Sequence, residues 1–176
     1  MTESPRNKIV LVGFMGTGKS TVAKLLSDRL AMPRIDLDEA IVAAAGCSIA
    51  EVFASQGEEA FRDLESRVLE DIMRSDKPGI IATGGGAVLR ERNRQSMMSG
   101  GLVIALRAAA TQIVERVKGD RGRPLLEGNV EEKVTKLLEE RRHAYDFAHH
   151  AIDTTGISVR EVAERIIRHW SVEHPS

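Results

Sequence analysis

The residues with the clearest capacity for chemistry are Gly13-Phe14-Met15-Gly16-Thr17-Gly18-Lys19-Ser20, which fit the pattern G-x-x-x-x-G-K-[ST] at every fixed position. Between a strand and a helix, such a run curls its backbone so that successive N–H groups point inward, and the helix adds its positive N-terminal end. That is an anion cradle for a nucleoside triphosphate, in which Lys19 reaches the β- and γ-phosphates and the Ser20 hydroxyl ligates magnesium. The competing reading is a glycine-rich turn that binds nothing. The flanks favour the cradle: Lys8 to Val12 is a short aliphatic run with the look of a buried strand, and Val22, Leu25, Leu26 and Leu30 recur at helical spacing behind it.

Four other stretches carry reactive types. Asp36 and Asp38 close a short strand that begins at Pro33. Positions i and i+2 of a strand share a side, so both carboxylates are expected to project from its C-terminal end, one near the metal and one positioned to take a proton from an attacking hydroxyl. An acidic helix start is equally compatible with Asp38-Glu39. Arg62 and Glu65 lie three apart on a helix, where a surface ion pair of little worth is the plainer expectation. Gly84-Gly85-Gly86 follow a strand and let a ligand approach the backbone closely, or simply make a sharp turn. Lys118 to Gly128 is charged and glycine-rich, and reads either as a mobile lid whose arginines offset phosphoryl charge or as a solvated linker.

The elements that must position these groups alternate along the chain. Strands are expected over 8–12, 33–38, 78–83, 102–106 and 150–153. Helices are expected over 21–30, 40–45, 49–56, 58–74, 89–98, 109–117 and 130–142, with a last one opening after Ser158 and turning Val162, Ile166, Ile167 and Trp170 inward. Ser48-Ile49-Ala50-Glu51 and Ser158-Val159-Arg160-Glu161 are capping boxes, and Gly46 reads as a helix stop. Five strands separated by helices imply an α/β fold with a five-stranded parallel sheet flanked by helices.

The 176 residues suit one domain, and a formal net charge of -1 gives no reason to expect a nucleic-acid partner. No apolar run approaches a membrane span and the first residues do not form a secretion signal, so a cytoplasmic protein is expected. The single Cys47 excludes an intrachain disulfide and reads as a small buried hydrophobe. His143, His149 and His150 cluster at a helix end, where capping and solvent contact are more common than metal binding.

Taken together, Gly13 to Thr21, Asp36-Leu37-Asp38, Phe61-Arg62-Asp63-Leu64-Glu65, Gly84-Gly85-Gly86 and Arg123-Pro124-Leu125-Leu126 make the chain resemble a shikimate kinase from near Lys8 to near Trp170. The resemblance implies a P-loop, nucleoside monophosphate kinase-like domain over 1–176, with a small helical substrate-binding region at about 37–65 and a lid at about 116–128. It implies ATP-dependent phosphorylation of the shikimate 3-hydroxyl on the way to chorismate and the aromatic amino acids. Gly16, Thr17, Gly18, Lys19, Ser20 and Thr21 would hold the ATP phosphates, Ser20 and Asp36 would serve Mg2+, and Arg116 would stack on adenine. Asp38 would bind the reacting hydroxyl and act as base, and Arg123 would be the lid arginine on the phosphates. Lys19, Asp38 and Arg123 thus form the implied catalytic set. Arg62 and Arg141 would take the shikimate carboxylate, and Gly85 would offer backbone to a ring hydroxyl.

Two departures from the family pattern stand out. The usual R-x-P-L-Y stretch reads Arg141-Arg142-His143-Ala144-Tyr145, where the spacing to Tyr145 selects Arg141 over Arg142, and Ala82 replaces a serine found near the metal waters of some relatives. Activity is expected to survive the loss of that serine. A kinase for another polyol acid such as gluconate, and a non-catalytic nucleotide or shikimate sensor, are the alternatives. A monomer is expected, since no helix shows an unexplained second apolar face.

Overall fold

The computed structural model describes residues 6–118 and 129–176. In chain order the elements are β1 (Lys8–Gly13), α1 (Lys19–Leu30), β2 (Arg34–Asp36), α2 (Leu37–Ala45), α3 (Ile49–Arg74), β3 (Gly79–Ala82), a 3-10 turn (Ala87–Leu89), α4 (Glu91–Gly100), β4 (Gly101–Arg107), α5 (Ala110–Lys118), α6 (Val130–Glu140), β5 (His150–Asp153) and α7 (Val159–Glu173). The strands form one sheet in the order β2-β3-β1-β4-β5, every neighbouring pair parallel. This is the five-stranded P-loop α/β architecture expected from the sequence.

Parallel strands covered on both faces read as continuous apolar runs, and β1 is buried from end to end. Its side chains alternate between two cores. Val10 and Val12 join Ile81, Val103 and Ala105 under helices α2 to α6, while Ile9 and Leu11 join Ile80, Leu102 and Ile104 under α1 and α7. Ile167 and Trp170, expected inward, are only partly buried at the edge of the second core. Cys47 is likewise partly buried against the first.

The order of the strands places the site. The chain leaves β1 toward one side of the sheet and later returns to its other side, so a crevice opens at the C-terminal end of β1. The glycine loop lies there. Gly18 adopts φ 91° as the residue entering α1, a left-handed conformation that favours glycine.

Several boundaries differ from the expected ones for local reasons. β2 stops at Asp36 because that side chain accepts a hydrogen bond from the Glu39 N–H and caps α2. The helices expected on either side of Gly57 follow one another directly, with a kink where Gly57 takes φ 87° and ψ 172°. The helix expected from Leu89 starts as a 3-10 turn and becomes α4 only at Glu91.

Two of the three clustered histidines have defined partners. His143 contacts the Asp146 carboxylate through Nδ1, and among the described residues no group of three His, Cys, Asp or Glu could hold a metal. His149 extends the β4–β5 ladder: its N–H donates to the Val103 carbonyl, and its Nδ1 accepts the Val103 N–H at 2.9 Å. Nδ1 is therefore unprotonated, and burial, with Arg6 and His150 nearby, holds the imidazole pKa below its ordinary value. Because the folded state binds this proton less readily than the unfolded chain, the contribution is intact above pH ~6.5. It is lost as pH falls below that value toward the lowered folded pKa. Urea unfolding at pH 7.5 and 5.5 tests this against His149→Asn, whose side-chain oxygen accepts the same N–H without titrating. The natural protein should lose more stability than the variant on acidification, and equal losses would remove His149 from the account.

Candidate active site

A cavity of about 590 Å³ opens over the C-terminal ends of β1, β2 and β3. Its nucleotide end is the P-loop, with Gly16 to Thr21 in the wall. Lys19 is folded back against the loop: its Nζ donates to the carbonyls of Gly13 at 2.6 Å and Phe14 at 2.9 Å. Thr17 is buried and turns its hydroxyl onto the Phe14 carbonyl, whereas Ser20 and Thr21 are exposed. Arg116, on the exposed face of α5, donates to the Gly16 carbonyl at 2.7 Å and lines the same end.

Asp36 and Asp38 both border the cavity, but not as two residues of one strand face. Asp36 is the cap of α2 and Asp38 sits in its first turn. The acidic helix start and the acidic cavity wall are thus the same feature. Asp36 Oδ2 lies 3.2 Å from Ser20 Oγ, accepting that hydroxyl's hydrogen bond and setting two hard oxygens side by side next to the loop. Asp38 stands across from the glycine triplet, where a Cβ on Gly84 would come within 3.0 Å of its Oδ1.

The Arg62–Glu65 pair corrects what the i,i+3 spacing alone suggested. It is not a surface ion pair. Arg62 is 8% exposed and Glu65 1%, with Nη1 donating to Oε1 at 3.0 Å. Burial pushes the Glu65 carboxyl above its usual range and the Asp38 charge adds to this, while Arg62 and then Arg141 pull it back. Its Oε2 is buried without a hydrogen-bond partner. Arg62 packs so closely on the glycine turn that a Cβ on Gly86 would overlap its guanidinium.

Arg141 is buried and lines the cavity, with its guanidinium 5.9 Å from the centre of the Phe14 ring. Its neighbour Arg142 is exposed. Gly85 lies between Arg141 and the loop: its carbonyl accepts the Tyr145 hydroxyl at 2.7 Å, and a Cβ there would stand 3.3 Å from Arg141 Nη1 and 3.4 Å from Met15 N. Two guanidiniums and two carboxylates therefore converge around one glycine turn, in a wall completed by Phe53 and Phe61. Such a site suits a small hydroxylated acid whose carboxylate meets the arginines and whose hydroxyls meet the acids. Arg123, with the Arg123-Pro124-Leu125-Leu126 run, lies outside the described residues.

Sequence reasoning did not place Glu65 in the cavity, because i,i+3 spacing looks the same for an exposed pair and a buried one. Thr154, Ile157 and Val159 also line the nucleotide end. The only sequence sign of them was the loop between the last strand and the capped C-terminal helix.

Comparison with known proteins fits this arrangement. The family model described as shikimate kinase matches residues 15–171. The shikimate kinase of Thermodesulfovibrio yellowstonii is 43% identical over 163 residues, covering 92% of this chain and 94% of the relative. That of Geobacter sulfurreducens is 46% identical over 164 residues, covering 93% and 90%. The solved structure of shikimate kinase from Acinetobacter baumannii in complex with shikimate superposes with a TM-score of 0.90 at 33% identity, over 97% of this chain and 96% of that one. A gluconokinase from Sinorhizobium meliloti, at 16% identity and a TM-score of 0.61 over 97% and 99% of the two chains, shares the fold.

Proposed function

The chain belongs to the shikimate kinase family, and from that premise we propose how its own residues transfer the γ-phosphoryl group of ATP to the 3-hydroxyl of shikimate. The carrying observation is that the P-loop, Asp38, Arg62 and Arg141 border one cavity. ATP phosphates occupy the N–H groups of Gly16 to Thr21. Lys19 exchanges its two loop carbonyls for phosphate oxygens, which its three mobile donors permit. Arg116 covers the base, and Arg123 in the lid of 116–128 meets the transferred group. The acceptor lies in the region of 37–65, its carboxylate on Arg62 and Arg141 and a ring hydroxyl on the Gly85 backbone.

Asp38 orients the 3-hydroxyl and accepts its proton as the oxygen bonds to the γ-phosphorus. The bond from that phosphorus to the β-phosphate oxygen breaks, and ADP leaves. Ser20 and Asp36 fit a magnesium ion, being adjacent hard oxygens on the phosphate side of the cavity. Bound there, it would neutralise phosphate charge. The Ala82 side chain has no oxygen to offer that ion or its waters, so its side-chain support would fall to Ser20 and Asp36. A monomer acting in the cytoplasm belongs to the same reading; among the described residues no helix is long and apolar enough to cross a membrane.

The test is ADP release from ATP and Mg2+ with shikimate, gluconate or quinate as acceptor. Turnover with shikimate alone is expected, and turnover with gluconate instead would mean that the acid-binding arginines are misassigned. A second test uses Gly86, whose φ of -95° suits any residue. Gly86→Ala should leave the backbone unstrained but displace the Arg62 guanidinium, raising the shikimate KM about tenfold with little change in the ATP KM. An unaltered shikimate KM would mean that Arg62 does not depend on this close approach.

A further inference from the structure

We propose that Arg90 is a positioning residue for the acid-binding end of the site, acting through Arg62. Arg90 does not line the cavity. It follows the 3-10 turn that carries the glycine triplet into α4, and its side chain, 23% exposed, crosses to α3. There Nη1 donates to Asp63 Oδ1 at 2.7 Å, with Ser66 Oγ at 3.5 Å, and Nη2 donates to Glu59 Oε1 at 2.8 Å. Glu59, Arg62, Asp63 and Ser66 are spaced i, i+3, i+4, i+7 and so form one stripe of α3. The guanidinium that Arg90 extends therefore grips the helix face from which Arg62 projects.

Two features make that grip consequential. The segment of α3 bearing Arg62 starts at the Gly57 kink, so its first turn, with Glu58 and Glu59, has no continuous helix behind it. The 3-10 turn that follows the glycine triplet, in contrast, is held from α4: Asn93 donates to the Ala87 carbonyl, and Arg94 to those of Val88 and Leu89. Arg90 ties this turn by ion pairs to the part of the helix next to the kink, and Arg92 adds a second link from α4 to Glu70, further along α3. Arg62 Nη atoms lie against Gly86, so a small rotation of α3 would carry them off the turn and away from the bound carboxylate. A fork spanning two carboxylates fixes rotation as well as distance, which a single ammonium would not.

The inference rests on Arg62 binding the acceptor carboxylate, and the experiment separates the two claims. Arg90→Ala should raise the shikimate KM about fivefold while the ATP KM and kcat stay within about twofold, a modest effect because exposed ion pairs are individually weak. Arg90→Lys should fall between it and the natural protein. Glu59→Gln/Asp63→Asn, which keeps Arg90, should reproduce the KM change and provides the test should Arg90→Ala fail to fold. In an Arg62→Ala background, Arg90→Ala should add nothing further to KM. An unchanged shikimate KM in both Arg90→Ala and Glu59→Gln/Asp63→Asn, or additive effects with Arg62→Ala, would overturn the role of Arg90. If Arg62→Ala itself left shikimate kinetics unaltered, the assignment of Arg62 would fail first.

Discussion

Asp38→Asn should lower kcat for shikimate phosphorylation by about 10³-fold, within the range that general acid–base groups contribute. Asparagine keeps the size and one acceptor oxygen but cannot take a proton. Shikimate should therefore still bind, with an affinity changed far less than kcat, and ATP binding should be unaffected. Single-turnover rates with isothermal titration of shikimate separate the two quantities. The acid beside it, Glu65, is a poor candidate for the same task. It is 1% exposed and bonded to Arg62, so a proton placed on it has no ready path to water. Asp38 is exposed at the cavity wall, where it can receive the proton and release it to solvent. A variant that keeps most of its kcat would show that the hydroxyl needs no base here and that positioning with phosphate charge neutralisation suffices.

The Asp36–Asp38 stretch also shows where sequence reasoning reached the right cavity by the wrong geometry. Strand alternation was the premise, yet β2 ends at Asp36 because a carboxylate that caps a helix is itself a stop signal for the strand before it. The P-loop was legible in full because its chemistry is local: eight residues fix the loop and their flanks fix the strand and helix. The sheet followed from apolar runs at regular intervals, since parallel strands buried on both faces leave that mark. The Arg62–Glu65 pair was not legible as a site from its spacing, and only the resemblance assigned Arg62 to the acceptor carboxylate. The glycine turn about twenty residues later closes on the pair and Arg141, much further on, acts on its charge, and neither alters the local i,i+3 pattern. Similarly, nothing adjacent to Tyr145 announces a bond to the Gly85 carbonyl. What pairs with what across the cavity is a property of the fold.

Arg62→Ala should lower kcat/KM for shikimate by about 10²- to 10³-fold, the scale for losing a charge-assisted contact to a bound carboxylate. The loss should fall mainly on KM, and the ATP KM should hold within about twofold, because Arg62 stands at the acceptor end of the cavity. The variant makes a second, independent prediction about Glu65. That carboxyl is already raised by burial and by Asp38, and Arg62 is the largest influence opposing them. Without Arg62 it should rise further and take up a proton rather than remain a buried unpaired charge. A carboxyl whose folded pKa exceeds its unfolded value contributes stability that is full below the unfolded pKa, about 4.3, and is lost as pH rises through the folded pKa. The Tm of Arg62→Ala should therefore decline more steeply than that of the natural protein between pH 5.5 and 8. Parallel Tm curves with a large KM effect would mean that Arg62 holds the substrate but that Arg141 alone suffices to keep Glu65 ionised. Parallel curves with unchanged shikimate kinetics would remove Arg62 from the site and leave the carboxylate to Arg141.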